Sequence, residues 1–125
     1  MKVRGIAWLG VRTERYDAMT RFYREVLGLE PRFEIAGQFS VFDLPGGDRA
    51  EVFAVTAPFN QHFPAAPVAG FLVDDVAAAR AEMEAKGVEF VHQGESEGGL
   101  VAWAHFRAPD GNLYEITHRK DLDAD

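Results

Sequence analysis

The chain contains no cysteine. That excludes disulfides, thiolate metal sites and cysteine nucleophiles, and it suits a reducing compartment, so a cytoplasmic location is expected. Long apolar runs are also missing. Nothing approaches the ~20 residues of a membrane-spanning helix, and the apolar stretch near the N-terminus is too short for a signal peptide. Basic charge is scarce. Thirteen Lys and Arg against 20 Asp and Glu leave a net charge of −7. Phosphate binding needs a basic footprint, so nucleic acid is not an expected partner. There is no Ser-His-Asp arrangement, no paired-His motif and no phosphate-cradling glycine loop. The glycine-rich stretch Gly94–Gly99 has no helix after it to receive an anion.

What is present fits a soluble globular protein. A chain of 125 residues suits one domain with one main core. Ten Phe, two Trp and three Tyr are generous for that length, and some are expected to line a pocket. Val3–Arg12 reads as a strand. Apolar residues at 19, 22, 23, 26 and 27 form a helical stripe in Tyr16–Leu27, and Gly28 stands where helices end in a left-handed turn. Arg32–Ala36, Phe39–Leu44 and Arg49–Val55 read as strands. Thr56–Pro67, with three prolines, reads as a connection. Val68–Val73 is a further strand. Asp74 or Asp75 caps an alanine-rich helix, Val76–Lys86. Val88–His92, Leu100–Arg107 and Asn112–His118 close the order, and the acidic tail Asp121–Asp125 is expected to fray.

The order is strand, helix, three strands, twice over. The letters repeat as well. Phe42, Pro45, Gly47, Glu51 and Val52 match Phe106, Pro109, Gly111, Glu115 and Ile116 at a constant offset of 64 residues, which points to duplication.

Three segments carry a resemblance to a known family. They are Phe22-Tyr23-Arg24-Glu25-Val26-Leu27-Gly28-Leu29, Val73-Asp74-Asp75-Val76, and Ala108-Pro109-Asp110-Gly111-Asn112-Leu113-Tyr114-Glu115. Together and in this order they resemble the vicinal oxygen chelate, or glyoxalase/bleomycin-resistance/dioxygenase, superfamily. The resemblance implies an α+β fold of two βαβββ modules, forming half-barrel sheets around a cavity with helices on the outer face. It implies a single domain over residues 1–125, with module one at about 1–57 and module two at about 66–120. It also implies a homodimer.

Metal enzymes of that superfamily hold a divalent ion on the first and fourth strands of each module. Carried onto this chain, those positions are Trp8, Glu51, Val68 and Glu115. An indole and a valine cannot ligate a metal, and two carboxylates alone make a weak site. The expectation is no cofactor, with a divalent metal on Glu51, Glu115 and His105 as the alternative.

Strand alternation extends the list of inward side chains. If Trp8 faces inward, so does Arg12; if Glu51 does, so do Arg49 and Phe53. Ala102, Ala104 and Phe106 read as the face under a helix, which turns Trp103 and His105 inward, and the offset of 64 adds Phe39. Trp8, Arg12, Phe39, Arg49, Phe53, Val68, Trp103 and His105 are thus candidate ligand-binding residues, and Glu51 and Glu115 candidate catalytic ones. Aromatic walls with a few fixed polar groups describe a small-molecule site. Each polar residue has a plainer reading. The two glutamates could pair with Arg49 or Arg12 as a buried ion network. His105 could be a hydrogen-bonded core histidine, with His62 and His92 solvated and His118 near the tail.

Three functions follow. The first is a metal-independent small-molecule binding protein, sequestering a drug or metabolite as in the bleomycin-resistance branch. The second is a lyase, isomerase or dioxygenase using a metal or a glutamate general base. The third is a module that senses a metabolite.

Overall fold

The computed structural model describes residues 1–122, so most of the expected frayed tail, residues 123–125, lies outside the described part. The chain has an α+β fold in two compact units. One is Trp8–Val68. The other joins Met1–Ala7 to the chain from Ala69 onward.

The Trp8–Val68 unit takes most of β1 (Gly5–Thr13), α1 (Tyr16–Arg21), β2 (Pro31–Ile35), β3 (Phe39–Asp43) and β4 (Arg49–Ala54). Its strands lie in the order β2-β3-β4-β1, with β1 parallel to β4 and the other pairs antiparallel. The helix is shorter than its sequence stripe. After Arg21 the chain widens into a π turn, Phe22–Val26, in which Leu27 N–H donates to Phe22 O at 3.1 Å. The buried line runs through Tyr16, Met19, Thr20 and Tyr23, while Phe22, Val26 and Leu27 are exposed. The Tyr23 ring meets Phe42 edge-on at 5.3 Å, over Ala50 and Val52. Burial pushes the Tyr23 phenol pKa up. Phe42 is 0% exposed, and a burial of this kind contributes about 1.5–3 kcal/mol.

The second unit contains all but the first residue of β5 (Val68–Leu72), and α2 (Val76–Ala85), β6 (Glu89–Glu95), β7 (Val101–Arg107) and β8 (Leu113–Arg119). Its strand order is β5-β8-β7-β6, with β5 parallel to β8. Ala104, Phe106 and Ile116 pack with Val76 and Ala79 of α2, and Ala102 lies against the same cluster. The face expected to lie under the helix therefore does so. Asp75 caps α2 by accepting from Ala78 N–H at 2.9 Å. Asp74 instead holds the Arg4 guanidinium, whose hydrogen bond lowers the Asp74 pKa. At the other end, Arg119 grips Asp121 through two hydrogen bonds of 2.9 and 2.7 Å.

The duplication is deeper than the letters. In the first unit the β2–β3 register shifts between Pro31 and Phe33, so Phe33 lies opposite Val41. In the second, β6–β7 shifts between Phe90 and His92, so His92 lies opposite His105. Both units carry a bulge at the same place in their outer strand pair.

Candidate functional site

In the Trp8–Val68 unit one row of the sheet runs Gly10, Glu51, Val41, Phe33, each opposite the next. The Trp8 indole folds back over Gly10. Its Nε1–H donates to Glu51 Oε2 at 2.7 Å. Phe63 meets Trp8 edge-on at 5.9 Å and Phe53 edge-on at 6.2 Å, and Phe53 stacks on Phe39 at 5.2 Å. Phe59 leans on Phe39. Phe59 and Phe63 come from the segment read only as a connection. Their hydrophobic spacing carried the signal, but a proline-rich stretch has no period that would show which way they face.

The arginines considered as partners for the glutamates are held by other groups. Arg49 donates to Asp43 Oδ1 at 3.0 Å. Arg12 Nη2–H donates to Val55 O at 2.9 Å, and its buried Nε–H has no hydrogen-bond partner among the described residues. Val68 is fully buried.

In the second unit the corresponding row runs Gly70, Glu115, His105, His92. His105 and Glu115 are 1% and 4% exposed, and His105 Nε2 lies 2.9 Å from Glu115 Oε1. A hydrogen bond across that distance gives each of these buried groups a polar partner. His92 lies within β6 rather than in a loop, and it is exposed. Its ring stacks on His105, with centroids 5.1 Å apart and planes 14° from parallel. Sequence reading missed it because the bulge breaks the strict alternation from which inward residues are counted. In the next row Trp103 lies opposite Gly94, and its indole covers that glycine, which belongs to β6 rather than to a loop. His118 lies within β8, its Nδ1 3.0 Å from Val73 O.

A family model matches residues 5–116. The chain belongs to the glyoxalase/bleomycin resistance protein/dioxygenase superfamily. Solved members of similar fold include a Mn(II)-bound glyoxalase from Novosphingobium aromaticivorans, with 26% identity and a TM-score of 0.71. That likeness covers 94% of this chain but only 39% of the glyoxalase chain. The methylmalonyl-CoA epimerase of Streptomyces coelicolor, solved with 2-nitronate-propionyl-CoA, shows 18% identity over 99% of this chain and 100% of its own, at a TM-score of 0.70. The epimerase of Mycobacterium tuberculosis shows 16% identity over 94% of this chain and 89% of its own, at 0.67. No curated protein matches the chain.

The superfamily's metal positions do not fit a metal here. Val68 offers no donor atom. The Trp8 indole offers only an N–H, and that N–H is already directed at the Glu51 carboxylate. No step is therefore routed through an ion held by those four residues.

Proposed function

We propose that the protein is a small-molecule enzyme of the isomerase or lyase class, with the His105–Glu115 pair as its working centre. The observation that carries this reading is the buried 2.9 Å contact between imidazole and carboxylate. Such a pair holds an electrophile between nitrogen and oxygen, which in its simplest form is a proton. Presented to a carbonyl oxygen of the substrate, that electrophile acidifies the neighbouring C–H bond. The C–H proton passes to the Glu115 carboxylate, the charge rests on the carbonyl oxygen that accepts from the His105 N–H, and Glu115 returns the proton to the carbon or delivers it to a departing leaving group. The glyoxalase and epimerase likenesses support the class. The substrate is a small oxygen-bearing acid, thioester or carbonyl compound.

The test is exchange of carbon-bound hydrogen for deuterium from D2O, followed by NMR across a panel of 2-oxo acids, 2-hydroxy ketones and acyl thioesters. Exchange that falls about 10²–10⁴-fold in both Glu115→Gln and His105→Asn supports the reading. Exchange unchanged in both variants refutes it.

A second reading is a metal-independent protein that sequesters a drug or metabolite. The Trp8–Glu51 hydrogen bond favours it, because it closes two of the superfamily's metal positions against each other. Saturable ligand binding with no exchange in the wild type selects this reading. Under either reading we take the chain to work as one cooperatively folding domain and as a cytoplasmic homodimer. Exposed Ile6, Val26, Leu27 and Phe33 offer apolar surface for a second copy, and sedimentation equilibrium tests the pairing.

A further inference from the structure

We infer that Arg107 is an anion-binding residue of the His105–Glu115 site and selects substrates that carry an acid group one strand repeat away from the reacting carbonyl. The inference rests on the reading of His105–Glu115 as the working centre. It names the class of substrate that the centre takes, an oxo acid with a second, distal carboxylate.

Three observations converge. The first is placement. Ala104 and Phe106 of β7 pack under α2, so His105 and Arg107 stand on the other face of the strand. Residues two apart on one face are separated by about 6.5–7 Å. Trp103 is the neighbour of His105 on the other side, with its indole laid over Gly94. The row along β7 therefore runs from an apolar ring through the buried pair to a cation, which gives a bound molecule a direction. The second is the state of that cation. Arg107 is exposed at the end of β7, and its Nη1–H donates to Gly111 O at 3.1 Å. Among the described residues nothing else holds the guanidinium. Two carboxylates stand in reach by sequence and do not take it. Glu89 is directly opposite on β6 and makes no ion pair with it. Asp110, in the adjoining turn, is engaged by Asn112 and Tyr114.

The third is the sister unit. At the offset of 64 residues Asp43 holds the place of Arg107, at the end of β3. Its charge is met twice, by Arg49 at 3.0 Å and by Arg32 at 3.3 Å. Arg49 stands opposite Asp43, whereas Leu113 stands opposite Arg107. The fold thus neutralises a charge at this place from within in one unit and leaves it to be met from outside in the other. The guanidinium keeps the rest of its planar fork for a carboxylate, which such a fork binds through two parallel hydrogen bonds. 2-Oxoglutarate carries a carbonyl and a distal carboxylate at a spacing of this order.

The experiment uses the full chain and two probes, 2-oxoglutarate and its 5-amide, which differ only in the distal charge. Calorimetry reads both affinities in the wild type, in Arg107→Gln and in Arg107→Lys. The wild type is expected to prefer the acid by about 10-fold or more. Arg107→Gln loses that preference and binds the amide within about twofold of the wild type, since only the charged hydrogen bond is removed. Arg107→Lys keeps part of the preference, because a point charge remains without the fork. Equal wild-type affinities for the two probes overturn the inference, and that comparison needs no substitution. So does a preference that survives in Arg107→Gln, and so does a wild type that binds no 2-oxoglutarate up to about 10 mM. Binding is read without turnover. An Arg107-dependent preference in a protein that exchanges no carbon-bound hydrogen therefore refutes the proposed function and leaves the anion subsite standing. Exchange that needs His105 and Glu115 but is indifferent to Arg107 and to the distal acid does the reverse.

Discussion

The Trp8 indole occupies the space that a side chain on Gly10 would need. A Cβ on Gly10 would overlap Trp8 Cη2 and come within 2.6 Å of Cζ3. The indole is not free to swing aside, because it is buried and its Nε1–H is held by Glu51. Trp103 covers Gly94 in the other unit less tightly, with the nearest indole atoms 2.9 Å from the same construction. In an ordinary strand, Gly→Ala stabilises by about 0.5–1 kcal/mol. Gly10→Ala is instead expected to destabilise by about 1–3 kcal/mol as an overpacking change. Gly94→Ala is expected near neutral, a small indole shift offsetting the backbone gain. Urea unfolding followed by tryptophan fluorescence ranks the two. Equal effects would show that the Trp8–Glu51 bond does not hold the indole in place.

Asp75 and Asp74 are neighbours with different work. Asp75 satisfies a free N–H at the start of α2, whereas Asp74 binds Arg4 at the surface. Losing an N-cap costs about 1 kcal/mol, and an exposed ion pair is worth less than that. Asp75→Ala is therefore expected to lower stability by about 1 kcal/mol and Asp74→Ala by a smaller amount, measured by thermal unfolding at pH 7. The opposite order would place the cap on Asp74.

The fold was legible because its signals are local and repeated. The Pro-Gly turns, the Gly28 stop and the Phe-to-Glu spacing each state an element, and the offset of 64 residues states that the unit occurs twice. The site was only half legible. Glu51, Glu115, Trp8 and His105 follow from strand alternation, which counts residues two by two. His92 does not, since a bulge adds one residue and reverses the count beyond it. Phe63 lies in a segment without period and comes to Trp8 and Phe53 through tertiary packing. The helix stripe failed at Val26 and Leu27 for a related reason, because a π turn lengthens the repeat that the stripe assumes.

The turn before β8 is organised by one carboxylate. Asp110 accepts from Asn112 N–H at 3.0 Å, from the Asn112 amide at 3.1 Å and from Tyr114 O–H at 2.8 Å. The Asn112 backbone bond is the largest cause of its lowered pKa, followed by the Tyr114 hydroxyl. The same contact raises the Tyr114 pKa. A carboxylate whose folded pKa is depressed stabilises the fold above its ordinary value of 3.8, and that contribution is lost as pH falls through the lower folded value. Wild type and Asp110→Asn are therefore expected to differ most at neutral pH and to converge in thermal midpoint as pH falls below about 3.8. Tm against pH for both proteins provides the check. A gap that stays constant with pH would mean that the carboxylate's charge does not contribute.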